Sequence, residues 1–210
     1  MNDIIYMNHS QHPEQIEIGA NPCTDQLTDL EYLEHMIPHH QVAIDMSKRL
    51  EPHISSDIIL SLCREIIRKQ KYEIWEMESM KKYRGDLFSE DEWTKENITT
   101  KLELYNPIMS QAEEGPCNPL FFKPNDHSKH MLTMENTQKA YLEHMIPHHQ
   151  VAIDMSRRLL LHTNNSYLLD FCRKLIIDQQ GEIFYMNNLL KSHDRLYNSE
   201  LLGNKSTSLE

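Results

Sequence analysis

Apolar residues recur at three- and four-residue intervals from Leu30 onward. Leu30, Leu33, Ile37 and Ile44 share one stripe, and His40 and Ser47 fill the remaining positions of the same stripe. This is the period of an amphipathic helix rather than of a strand. Thr28 followed by Glu31 is a capping-box start for it. The stretch "EPHISSD" then supplies a turn, with Ser55 or Ser56 as the next N-cap. A second stripe follows on Ile59, Cys63, Ile66, Gln70, Glu73, Met77 and Met80, and it runs to about Gly85, a C-cap residue. The pattern predicts a helical hairpin over residues 28–85.

The hairpin is written twice. "YLEHMIPHHQVAIDMS" occupies residues 32–47 and recurs unchanged at 141–156, an offset of 141 − 32 = 109. The offset holds without a gap to Met77 and Met186, where 11 of the following 30 pairs match. The second copy predicts helices from Thr137 to about Leu161 and from about Ser166 to Lys191. A two-helix hairpin cannot bury its own apolar face, whereas two of them close a core around a pseudo-twofold axis. The expected fold is therefore all-α, one four-helix bundle. Residues 1–27 read as an N-terminal tail, 28–85 and 136–195 as the hairpins, 86–135 as a linker, and 196–210 as a C-terminal tail whose closing Leu-Glu pair looks like a cloning remnant.

Composition narrows the function. The 210 residues include only 5 glycines, which favours helix over turn-rich sheet. A net charge of −11 repels a phosphate backbone, so nucleic acid is not an expected partner, while cations are not discouraged. No run approaches the length of a membrane-spanning helix, and no signal-peptide pattern opens the chain. Of the 4 cysteines, Cys63 and Cys172 fall on equivalent helical positions and read as buried thiols. Cys23 and Cys117 lie in proline-flanked segments, and a disulfide between them is one option among others.

Candidate chemistry sits inside the stripe. At about 100° per residue, His40 points down its centre, His39 lies about 100° to one side and His35 further round, toward solvent. His149, His148 and His144 repeat this arrangement. Aligning Leu50 with Ser56 sets His40 level with Ile66, and Glu73 within about a turn of Met36 and His39. Imidazoles, a carboxylate, the Gln70 amide and Met77 thus converge in the core, and Gln179, Glu182 and Met186 do the same in the second copy. Burying such groups without partners is expensive. Pro38 and Pro147 add to the oddity, because proline inside a helix removes a hydrogen bond, here to the carbonyls of Glu34 and Glu143. If the helices instead began at Met36 and Met145, each proline would lie harmlessly in the first turn.

Imidazole with thioether is a soft ligand mix, and thioether selects Cu(I). The totals of 13 His and 12 Met agree with this. Zinc or iron is an alternative ion, although the Glu-x-x-His pairs of a di-iron bundle are missing from the helices. No nucleophile stands beside a base and no glycine-rich phosphate loop is present, so hydrolase and transferase readings are weak. A metal-using oxidoreductase, and a purely structural bundle whose His–Glu pairs are core hydrogen bonds, remain as rivals.

"MIPHHQVAIDM", followed about thirty residues later by "QKYEIWEM" and "QQGEIFYM", resembles the domain-of-unknown-function family 305, whose doubled pattern it repeats over residues 28–85 and 136–195. "HSKHMLTM" resembles the Met-rich segment that precedes the motif in such proteins. The resemblance implies a ferritin-like four-helix bundle, and copper binding or copper tolerance, since some relatives are secreted or periplasmic copper proteins. The carried-over metal positions are Met36, His39, His40, Met46, Glu73 and Met77, with Met145, His148, His149, Met155, Glu182 and Met186, supported by Gln70 and Gln179.

Overall fold

The computed structural model describes residues 22–24, 26–83, 117–131 and 137–206, with side chains to 192. Among these residues the chain forms five α-helices, four of them long. Helix α1 spans Asp29–Leu50, α2 Asp57–Lys82, α3 Pro124–Met131, α4 Gln138–Leu160 and α5 Ser166–Ser206.

The first hairpin starts where its cap says. The Thr28 hydroxyl accepts from the Glu31 amide at 3.2 Å, and Glu31 Oε2 accepts in return from the Thr28 backbone N–H at 2.8 Å. Thr137 caps α4 through the Ala140 amide. A 3₁₀ turn at Glu51–His53 reverses the chain, and α2 begins after Ser56. Gly85 lies outside the described residues, and α2 ends at Lys82. Because α1 and α4 begin at Asp29 and Gln138, Pro38 and Pro147 are interior residues, each nine positions past the helix start (38 − 29 and 147 − 138).

Two expectations need correction. Helix α5 does not stop near Lys191 or at residue 195 but continues to Ser206, because no proline interrupts that stretch and its one glycine, Gly203, is only a weak breaker. The linker is also not featureless. After Cys117 it forms a 3₁₀ turn at Pro119–Phe122 and then α3, with Pro124 at the first helical position, where its missing N–H is no loss. Within the linker the sequence allows either a short helix from Ser89 or an extended stretch at Ile98–Leu104, and both lie outside the described residues.

Helices α1 and α2 pack together, as do α4 and α5. Helix α1 meets α4 between the hairpins, and α3 and the 3₁₀ turn seat on α1. Each of two apolar clusters draws on both hairpins. One joins Met36 and Met77 to Met155, and the other joins Met46 to Met145 and Met186.

The first and last letters of the repeated block stitch the copies together. Ser156 Oγ donates to the Ala152 carbonyl at 2.8 Å, so the Tyr32 hydroxyl must donate to Ser156 Oγ, at 2.7 Å. The mirror bond runs from Tyr141 to Ser47, at 2.8 Å, while Ser47 donates to the Ala43 carbonyl. Cys172 lies against Tyr32 and Ser156, and Cys63 against Tyr141; burial pushes these thiols up to about 12 and about 11. Cys23 and Cys117 are joined as a disulfide, with Cα atoms 5.9 Å apart, tying the chain before α1 to the segment that carries α3.

Candidate metal centre

The helical period carries His39 and His40 of α1, and His148 and His149 of α4, into the zone where the two helices cross; all four are fully buried. His40 Nε2 lies 2.9 Å from Glu73 Oε2, and His149 Nε2 lies 2.7 Å from Glu182 Oε2. The sequence reckoning set Glu73 within about a turn of Met36 and His39, without pairing it to His40. Side chains lean toward the N-terminus of their own helix, so in an antiparallel hairpin His40 and Glu73 lean toward one another and meet between their Cα levels.

The two carboxylates are not equivalent. Glu182 Oε1 also accepts from Lys69 Nζ at 3.0 Å. Burial works to raise the Glu182 pKa, but the hydrogen bond and charge of His149, with Lys69, outweigh it and hold the carboxyl down to about 2. The repeat equivalent of Lys69 is Asp178 (69 + 109), so the symmetric position beside Glu73 carries no matching cation.

His39 and His148 face each other across the pseudo-twofold axis. Their rings stack with centroids 3.7 Å apart and planes 26° apart. His148 Nε2–H donates to the His39 carbonyl at 3.0 Å. Burial, followed by the neighbouring histidines, pushes both rings well below the usual imidazole range, so each is neutral. His148, with its proton on Nε2, therefore carries a lone pair on Nδ1.

The donor set has unused atoms. Nδ1 of His40, His148 and His149, both ring nitrogens of His39, and both amide atoms of Gln70 and Gln179 are buried with no hydrogen-bond partner. Among the described residues, no three His, Cys, Asp or Glu side chains stand together as a ready-made ligand set. The methionines named from the sequence are all buried: Met36, Met77 and Met155 on one side of the axis, and Met46, Met145 and Met186 on the other.

Two residues escaped the sequence reading. Helix α3 places His127 in full burial, with its Nε2 3.0 Å from His144 Nε2. His144, expected in solvent, is half-buried by that contact, and His35 is half-buried beside Phe122. Phe121 wedges its ring against His144 and His148, at centroid distances of 5.1 and 4.9 Å. The available signal was Pro124 as a helix start, followed by His127 and Met131 at an i, i+4 spacing.

The family described as Domain of unknown function (DUF305) matches residues 29–190, and the chain belongs to that family. Among solved structures, CopM in a silver-soaked form is 25% identical and aligns with a TM-score of 0.55, over 80% of this chain and 97% of CopM. CopM in its Cu(II)-bound form is 26% identical with a TM-score of 0.54, over 80% and 98%. A DUF305 fragment from Deinococcus radiodurans shares the fold at 20% identity and a TM-score of 0.50, over 78% of this chain and 95% of the fragment. A curated relative, "Uncharacterized protein L153" of Acanthamoeba polyphaga mimivirus, is 42% identical over 52 residues, which is 25% of this chain. The chain spans about a third of the length of that relative (34%).

Proposed function

We propose that this protein is a copper-binding bundle that buffers or sequesters the ion through the His, Met and Glu side chains about its pseudo-twofold axis. One observation carries the reading. His40, His149 and His148 each engage an acceptor through Nε2, two a carboxylate and one a backbone carbonyl, and each leaves Nδ1 buried and unpartnered. A histidine that ligates a metal characteristically has this arrangement, in which the outer acceptor fixes the tautomer and raises the basicity of the opposite nitrogen.

The residues suit the ion. Glu73 and Glu182 orient the His40 and His149 rings, and the six methionines supply thioethers that favour Cu(I) over harder cations. Gln70 and Gln179 bring buried amides with unspent hydrogen-bonding capacity. Loading requires the stacked His39 and His148 rings to turn apart, since their faces now meet. Copper and silver forms of CopM, a neighbour of the same fold, support this reading. The bound ion's chemistry would be soft-ligand coordination; no reaction is assigned.

The test is anaerobic Cu(I) titration of tag-free protein. His40→Ala with His149→Ala is expected to lower affinity by orders of magnitude. Met36→Leu with Met145→Leu is expected to do likewise while lowering stability by less than about 1.5 kcal/mol, because leucine has similar volume. If affinity survives both double variants and only the histidine variant loses stability, the His–Glu pairs are core hydrogen bonds and the copper reading fails.

A further inference from the structure

His127 and His144 belong to neither His–Glu pair. They come from different helices, α3 and α4, and bring two Nε2 atoms to 3.0 Å in a half-exposed position at the edge of the bundle. His127 is fully buried, and its Nδ1 has no partner. The same separation is that of an ordinary N–H···N hydrogen bond, so one proton now lies between the rings. Two neutral imidazoles hold two protons among four nitrogens. Both Nε2 atoms are therefore open to an ion once the shared proton has moved to an Nδ1.

The separation also suits a shared ion. Two nitrogens at about 2.0–2.1 Å from one ion stand about 2.9 Å apart across a right angle and about 3.3–3.4 Å apart across a tetrahedral one. From the present 3.0 Å contact, little movement would bring the two nitrogens to the cis angle of the tetragonal geometry that Cu(II) prefers, and imidazole is a donor that suits that ion. The site contrasts with the core, where thioethers favour the monovalent ion. Phe121, packed against both His144 and His148, sets a dry ring beside the two histidine groups.

We propose that His127 and His144 form a second metal site, distinct from the core, that binds a divalent ion of tetragonal preference, Cu(II), between their Nε2 atoms. The site stands on its own residues and does not require the core to bind copper.

The experiment uses the full, tag-free, chelator-treated chain with one equivalent of Cu(II), read by electron paramagnetic resonance and by competition with a chelator. The parent is expected to give an axial signal with nitrogen superhyperfine structure. His127→Gln and His144→Gln are each expected to weaken Cu(II) binding by more than about 100-fold, beyond the loss from an outer-shell partner alone. Their anaerobic Cu(I) affinity is expected to stay close to the parent's. Circular dichroism checks folding, and His144→Gln, at the half-exposed partner, decides the matter if His127→Gln does not fold. An unchanged Cu(II) signal and affinity in folded His144→Gln, or no Cu(II) binding by the parent, overturns the proposal. If His40→Ala with His149→Ala leaves Cu(I) binding intact while His144→Gln abolishes the Cu(II) signal, the core reading fails and this site stands.

Discussion

Removing the Tyr32 and Tyr141 hydroxyls tests whether part of the repeated block exists for assembly rather than for chemistry. Both rings are buried, and each hydroxyl donates to a serine of the other copy, which already spends its own proton on a helix carbonyl. Tyr→Phe leaves no unmet donor on the ring, and the serine keeps its carbonyl bond but loses the proton it received. A net loss of about 1 kcal/mol per site follows. The two sites share no partner, so Tyr32→Phe with Tyr141→Phe should lose about 2 kcal/mol. For a chain of this size that is about 4–8 °C in melting temperature. Cu(I) affinity should not move. The sharper measurement is a double-mutant cycle by chemical denaturation. Tyr32→Phe should couple to Ser156→Ala and be additive with Ser47→Ala, because the partner lies in the other copy. Coupling to Ser47, or stability within about 0.5 kcal/mol of the parent in the double Tyr variant, refutes the reasoning.

The disulfide closes a separation of 94 residues, so Cys23→Ser with Cys117→Ser should destabilise by about 2–4 kcal/mol in denaturation curves. A thiol reagent should find no reactive cysteine in the native chain, two after denaturation, and four after denaturation with reductant, because Cys63 and Cys172 are buried and free. The metal-free protein should also lose stability in two acid windows. Burial depresses His39, His148 and His127, the last to about 4, so the unfolded chain takes up more protons as pH falls through 6.5, and stability falls with it. Glu182, held at about 2 against an ordinary 4.5, withdraws its contribution as pH falls from 4.5 toward 2. Lys69→Met should shrink the lower window and leave the upper one in place, as measured by melting temperature against pH.

The long helices were legible because caps and period agreed: Thr28 and Thr137 cap where the pattern begins, and His40 falls on the stripe it was assigned. The pairing of His40 with Glu73 was only half legible, since a count of Cα levels ignores the N-terminal lean of both side chains. The contact of His39 with His148 was not legible, because a hairpin read alone carries no information on where the other hairpin meets it. His127 was missed because eight helical residues, the first of them a proline, give too short a period to recognise. The cross-copy partners of Tyr32 and Tyr141 were equally hidden, although identical letters at both ends of a duplicated block are the mark such a symmetric contact leaves.

That symmetric contact has an ancestral implication. A lone hairpin of this sequence would leave its tyrosine hydroxyl to water unless it met a second hairpin like itself, which is the geometry of an isologous homodimer. Joining two such hairpins in one chain makes their encounter intramolecular and independent of dilution. It also releases them from obligatory equality. A homodimer would have to present Lys to both glutamates or to neither, whereas here Lys69 faces Glu182 and residue 178, its counterpart, is Asp. The covalent link thus lets two halves that began with the same letters surround their His–Glu pairs with unequal charge.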